Sequence, residues 1–296
     1  MNARTSSGVQ FWLPLCVLAV WLIWGSTYIA IAITLETMPP FGMAGLRLTM
    51  AGLFMLALSR LRGLRLPTGA EWRSCAIIGV LMFVGGNGSV VFAEQTVSSG
   101  LVAILVGAMP LWTALIGLAY GVRPAGRQWA GIALGMAGIA VLNARGELSA
   151  NPVAAVGLAL GSGAWALGTV QGHRWPMPPG TMATAAQLLS GGLALALLSA
   201  GTGERIDLGN ISLHSWLAFA YLLVFGSIVA FTAYGYLLKH ASLPVATSYA
   251  YVNPVVAVFL GAWIGGERIG TEGLSGLALI VLAVLLVTAP TAKPVP

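Results

Sequence analysis

Apolar runs of about twenty residues, separated by short polar stretches, recur along all 296 positions. A helix crossing a bilayer needs about 20 mainly apolar residues, since each rises about 1.5 Å through about 30 Å of hydrocarbon. By that measure the chain holds ten candidate spans: 12–34, 41–58, 73–93, 97–120, 127–143, 153–172, 181–200, 215–238, 243–264 and 272–289. The fifth is the shortest and is rich in glycine. Connections are tight, so consecutive spans are expected to lie antiparallel beside one another. Ala30-Ile31-Ala32 resembles a signal cleavage site, but the apolar run before it is longer than a signal core and only Arg4 precedes it. The first span is therefore expected to stay.

The pattern also repeats. Leu101 to Gly121 lies without a gap on Val245 to Gly265 at an offset of 144, with Pro110 on Pro254, Gly117 on Gly261 and Gly121 on Gly265. The same offset carries Trp72 onto Trp216, Val80 onto Val224 and Gly126 onto Gly270. Met38-Pro39-Pro40 returns as Met177-Pro178-Pro179 at a slightly different spacing. The chain thus reads as two copies of one unit, 1–146 and 147–296, each with five spans. An odd number of spans makes the second copy enter from the opposite side. The expected fold class is an all-α polytopic membrane protein, ten transmembrane helices arranged as two inverted five-helix repeats. Inverted repeats are the architecture of alternating-access transporters, because exchanging the conformations of the halves turns an inward-open state outward.

Composition agrees with the bilayer reading. The chain is 58% hydrophobic and 7% charged, too little charge to cover a soluble surface. Its mean hydropathy is +0.89. The 39 glycines follow no collagen period and suit close helix packing in lipid. A net charge of +6 could suggest nucleic acid, but the basic residues sit in short loops, where they act as topology signals. With the amino terminus inside, ten Lys and Arg fall in inner segments, three in outer loops (Arg145, Arg205, Arg268), and Arg47 within a helix. Both termini are then cytoplasmic. Cys16 and Cys75 lie in or beside apolar runs, with no disulfide framework and no metal-ligand spacing.

Few residues could carry chemistry. Pro110 and Pro254 fall near the middle of the fourth and ninth spans, where each would kink its helix. A pair of kinks at equivalent positions points to a midplane site between the halves. Gly117-xxx-Gly121 and Gly261-xxx-Gly265 follow on the same spans and read as close-packing contacts. Trp21, Trp24 and Tyr28 share one face of the first span, Trp165 holds a similar place in the sixth, and Phe231, Tyr234, Tyr236, Tyr249 and Tyr251 add to the eighth and ninth. Rings that deep either pack or wall a cavity for aromatic solutes. Trp12, Trp72 and Trp216 read as interfacial belt residues instead. Asn87, within Gly85-Gly86-Asn87-Gly88-Ser89, and Asn253 are buried amides that either bond between helices or hold the polar end of a substrate. Arg47 is the one charge clearly inside a span. It reads first as a structural or gating ion pair with Glu36 or Glu94, with carboxylate recognition as the alternative.

No Asp or Glu falls mid-span, and only Glu94, near an outer end, approaches one. Proton coupling needs an intramembrane titratable group, so facilitated, uncoupled movement is expected. The same scarcity of nucleophiles, bases and metal ligands argues against an enzyme. The expected partners are a small-molecule substrate and the lipid bilayer, with no cofactor, metal or nucleic acid, and a monomer suffices.

Five-plus-five spans, Trp24-Gly25-Ser26, Arg47, Pro110 and Pro254 together resemble the EamA-type ten-helix exporters of the drug/metabolite transporter superfamily. The likeness covers essentially the whole chain and is strongest to the YddG-type exporters of aromatic amino acids. The resemblance implies a basket in which the first, third, fourth, sixth, eighth and ninth helices surround a central cavity, with the fifth and tenth as an outer pair. It implies that Trp24, Asn87, Pro110, Trp165, Tyr249, Asn253 and Pro254 sit toward that cavity. The four-helix members of the superfamily carry an essential glutamate in the first helix. Here that helix has none before Glu36, which disfavours proton antiport and cationic drugs. The resemblance thus implies an inner-membrane exporter of neutral or zwitterionic metabolites, aromatic and bulky amino acids above all, with other solute classes (purines, sugars, drugs) or a non-transporting scaffold as alternatives.

Overall fold

The computed structural model describes residues 3–97, 99–107, 109–121, 123–142, 152–265 and 271–288. Among these residues the fold is entirely helical, as expected where lipid offers the backbone no hydrogen-bond partners. The helices are α1 Ala3–Leu35, α2 Pro40–Leu61, α3 Gly69–Ala93, α4 Ser99–Val106, α5 Met109–Ala119 and α6 Gly126–Leu142. There follow α7 Pro152–Gly172, α8 Thr181–Gly201, α9 Leu213–His240, α10 Leu243–Ala246, α11 Tyr249–Gly265 and α12 Thr271–Thr288.

Local sequence explains where these helices begin and end. Pro40 opens α2, where its missing N–H costs nothing. At the start of α3 the Thr68 hydroxyl accepts from the Glu71 backbone N–H at 3.4 Å. The Glu71 carboxylate accepts from the Thr68 N–H at 2.7 Å, which completes a reciprocal cap. Arg65 grips the same carboxylate through both terminal nitrogens, at 2.5 and 2.6 Å. Ser212 caps α9 by accepting from the Ser215 N–H at 3.1 Å.

Six helices are long and apolar enough to cross a membrane among the described residues: α1, α2, α3, α7, α8 and α9. The other four expected spans appear as shorter helices. The fourth and ninth differ most from expectation. Each was expected as one helix kinked at its proline, and each is instead broken into two pieces, α4 with α5 and α10 with α11. Pro110 then lies in the first turn of α5, where no intrahelical bond is lost. Pro254 is interior to α11 and buried, and leaves the Ala250 carbonyl without its usual partner.

α2 runs along α8, and α6 along α12. α1 packs between α9 and α11, while α3 packs on α7 and α8. The α2–α8 backbones approach very closely. A Cβ at Gly52 would stand 2.5 Å from the Leu189 nitrogen, and one at Gly192 would stand 2.4 Å from the Thr49 nitrogen. Small residues permit this approach, as expected for helices packed in lipid. The glycines expected to fill that role do not all do so. Gly121 is exposed with φ +79°, and a Cβ there would meet nothing within 4 Å. It follows α5 in the left-handed conformation that suits glycine, with open space where a side chain would stand. Gly117 is buried within α5. The surroundings of Gly261 and Gly265 lie outside the described residues.

Large apolar side chains such as Leu18, Leu22, Leu193, Leu197, Phe259 and Trp263 face outward. That surface suits lipid. Trp12 and Trp216 are exposed as a belt requires, and Trp72 is half-buried.

Candidate functional site

Trp24 of α1 is the hub of an aromatic cluster at the centre of the bundle. Its ring lies 4.6 Å from Tyr249, 4.9 Å from Phe231, 5.0 Å from Tyr234 and 5.7 Å from Trp165, centroid to centroid. Most of these contacts are edge-on, the arrangement the ring quadrupoles favour. The indole N–H of Trp24 donates to the Gly226 carbonyl at 3.2 Å. Beside the cluster lies a cavity of about 70 Å³. Its wall includes Trp24, Tyr28, Arg47, Asn87, Trp165, Phe231, Tyr249 and Asn253, together with Thr27, Met109 and Ser162. Every expected cavity helix contributes, and α2 joins them through Arg47.

Two wall helices are locally unwound. Val80–Asn87 of α3 and Leu222–Val229 of α9 are π-helical. Such wide turns displace the regular ladder and free carbonyls, which at membrane depth is tolerated only against protein or a wet cavity. Gly226 in α9 supplies the carbonyl that takes the Trp24 proton, and Gly86 in α3 accepts from Ser89 Oγ at 2.7 Å. Gly86 also makes room for Trp165. A Cβ there would stand 2.5 Å from Trp165 Cε3.

The polar part of the wall is sparse. Arg47, 2% exposed, donates from Nη2 to Asn87 Oδ1 at 2.9 Å, while its Nε has no partner. The ion pair expected with Glu36 or Glu94 is not formed. Glu94 is buried and within electrostatic reach, yet both its oxygens lack hydrogen bonds and no salt bridge joins it to Arg47. Asn87 thus takes the partner the arginine was expected to find in an acid. Asn253 lies beside the Tyr28 hydroxyl, but its Oδ1 makes no aligned hydrogen bond, and Ser162 Oγ has none either. Each buried polar group left this way costs about 1–3 kcal/mol, so several around one cavity mark a place built to meet water or a polar solute.

Three expected site residues stand off the wall. Trp21 is half-buried and donates to Ser248 Oγ at 3.0 Å. Tyr234 backs the cluster, its hydroxyl 2.9 Å from Thr169 Oγ1. Pro254 is buried in α11 without lining the cavity. The ring of Pro110 lies outside the described residues. Conversely, Thr27, Ser162, Met109 and Gly226 line the cavity without having been singled out from sequence. Ser162, a lone hydroxyl in an apolar run, carried the clearest signal.

The EamA-like transporter family profile matches this chain twice, over residues 11–144 and 153–289. The chain belongs to the EamA-like transporter family. It is 44% identical over 279 residues to the uncharacterized inner membrane transporter YedA of Escherichia coli K12, covering 93% of this chain and 91% of that protein. It is 28% identical to a chloroplastic WAT1-related protein of Arabidopsis thaliana, over 93% of this chain and 69% of the relative. To Protein PecM of Dickeya dadantii it is 26% identical, over 90% and 88%. A solved crystal structure superimposes with a TM-score of 0.74 at 21% identity, over 93% of this chain and 95% of that one, a likeness of fold. Membership of the EamA-like family makes the protein a membrane transporter.

Proposed function

We propose that this chain exports small neutral or zwitterionic metabolites, aromatic and other bulky amino acids first among them, across a bacterial inner membrane. The observation that carries the reading is the cavity walled by Trp24, Trp165, Phe231 and Tyr249, with Asn87, Asn253 and Ser162 as its polar points. Flat apolar rings hold an aromatic or bulky side chain, and sparse amides meet its polar end. The same aromatic wall supports kinship with the YddG-type exporters. The relative YedA, an inner membrane transporter, supports the location.

The mechanism proposed is alternating access between two oppositely inserted halves, 1–146 and 147–296, with ten spans and both termini cytoplasmic. The double family match supports the duplication, and so do the π-helical turns at corresponding places in α3 and α9. About 70 Å³ holds about five water molecules. Phenylalanine has more than twice as many heavy atoms, so the aromatic walls part to admit it. No carboxylate is among the described residues lining the cavity, which supports facilitated movement down a gradient.

The test is counterflow of radiolabelled phenylalanine in liposomes, competed by amino acids, purines and organic cations. Aromatic amino acids should compete best. Trp165→Ala and Asn253→Ala should each slow exchange by about tenfold, the equivalent of about 1.4 kcal/mol of lost contact. Unchanged exchange in both variants would place the solute elsewhere, and competition by cations or purines alone would change the substrate class.

A further inference from the structure

Arg47 is a buried cation held by an amide, and none of the described residues forms an ion pair with it. It lies seven residues into α2, its one short contact is Nη2 to the neutral Asn87 Oδ1, and Nε is unpartnered. Glu94 is near enough to sense the charge but makes no ion pair, and it does not line the cavity. Removing a guanidinium from water without a paired anion is costly, several kcal/mol even after relaxation. Arg47 and Gly226 both line the cavity, and Nη1 is 4.0 Å from where a Cβ on Gly226 would stand.

We propose that Arg47 is the carboxylate-recognition residue of this cavity, and that the selected class is hydrophobic carboxylates. An aromatic or bulky body would lie against Trp24, Trp165 and Phe231, with its carboxylate on the guanidinium. A planar fork of donors is matched to a carboxylate, which it can hold through two parallel hydrogen bonds, and such charge-assisted bonds are about twice as strong as neutral ones. Asn87 holds one end of the fork by accepting from Nη2. Ser162 Oγ and Asn253 Oδ1, also unpartnered, are placed to meet the rest of the solute. The described wall offers no acid to an ammonium group. The α-amino group of an amino acid therefore adds little to binding, and the same molecule without it binds comparably. This inference rests on the cavity being the transport site, and shifts what that site selects from solutes of no net charge to those with a carboxylate, amino acids among them.

The experiment uses the purified full chain at neutral pH with four probes. L-phenylalanine and 3-phenylpropionate carry the carboxylate, and L-phenylalaninamide and phenethylamine lack it. Ligand-dependent melting temperature reads binding, and competition of phenylalanine counterflow reads occupancy of the transport site. The two carboxylates should raise the melting temperature and compete at least about tenfold better than the two amines, as loss of a charge-assisted bond implies. Arg47→Gln should level all four. Should that variant not fold, the wild-type ranking decides alone. Phenylalaninamide competing as well as phenylalanine overturns the inference while leaving amino acid export intact. Stabilisation by 3-phenylpropionate without phenylalanine counterflow leaves the carboxylate site standing and removes amino acid export instead. Stabilisation by neither carboxylate overturns it outright.

Discussion

Gly86→Val should reduce phenylalanine counterflow below about a tenth of the wild-type rate in a protein that still reaches the membrane. The reason is steric and local. A Cβ at position 86 would stand 2.5 Å from Trp165 Cε3 and 3.2 Å from Trp165 Cβ. Real contacts do not come that close, so the indole has to move. Phe83 closes one side at 6.0 Å, ring to ring, and Phe231 lies at 6.0 Å on another. The remaining free volume is the cavity itself, which the displaced ring would fill. The double variant Gly86→Val with Trp165→Ala separates this from general damage. Removing the ring relieves the clash, so the pair should lose less stability than the sum of the two single variants, by a coupling of about 0.5–3 kcal/mol. Transport should stay low, because the aromatic wall is gone. Recovery of full transport in the double variant would mean that Trp165 has no part in the site.

Gly52→Val should destabilise the fold itself. Its Cβ would stand 2.5 Å from the Leu189 nitrogen and 2.7 Å from the Leu189 Cα. Both are backbone atoms, so no rotamer change relieves the overlap, and α2 must separate from α8. Overpacking of this kind costs about 1–3 kcal/mol, and a backbone clash sits at the upper end. The measurement is melting temperature and folded yield in detergent, expected to fall clearly for Gly52→Val and to a lesser degree for Gly52→Ala. Gly69→Ala is the control. A Cβ there meets nothing within 4 Å, and its melting temperature should match wild type. Equal behaviour of positions 52 and 69 would show that the close approach of α2 and α8 contributes nothing.

The helical class was legible because the bilayer imposes it: a long apolar run of mean hydropathy 1.5 or more has few alternatives to a spanning helix. Trp24, Asn87, Trp165, Tyr249 and Asn253 were legible as candidates for a related reason. A ring or amide at mid-depth stands out against Leu, Val and Ala. What sequence spacing could not provide was the identity of partners. Gly117 and Gly121 have the spacing of a packing motif, but Gly121 follows a helix end, and the close approach falls at Gly52 and Gly192. Their value depends on which helix lies opposite, which no local pattern records. Arg47 was expected to find an acid because charge attracts charge, yet the nearest acceptor is an amide on α3. The π-helical turns were invisible for another reason. Val80–Asn87 ends in Gly-Gly-Asn and Leu222–Val229 holds Gly226 and Ser227, but such residues also occur in regular helices, and nothing in their spacing specifies a wide turn. Pro110 falls beside the break in its span, whereas Pro254 lies inside a continuous helix and the break in that span comes several residues before it, so spacing alone did not place the irregular backbone.

On the proposed function, the solute sits in the cavity beside Trp24 during transport. Ser162→Cys tests it most directly, in a chain with Cys16 and Cys75 replaced by Ser, since position 162 lines the cavity and its hydroxyl has no partner to lose. The thiol should react with a small water-soluble thiol reagent, and phenylalanine should slow that reaction in proportion to its occupancy of the site. A thiol that reacts at the same rate with and without phenylalanine, in protein that still performs phenylalanine counterflow, would contradict the account.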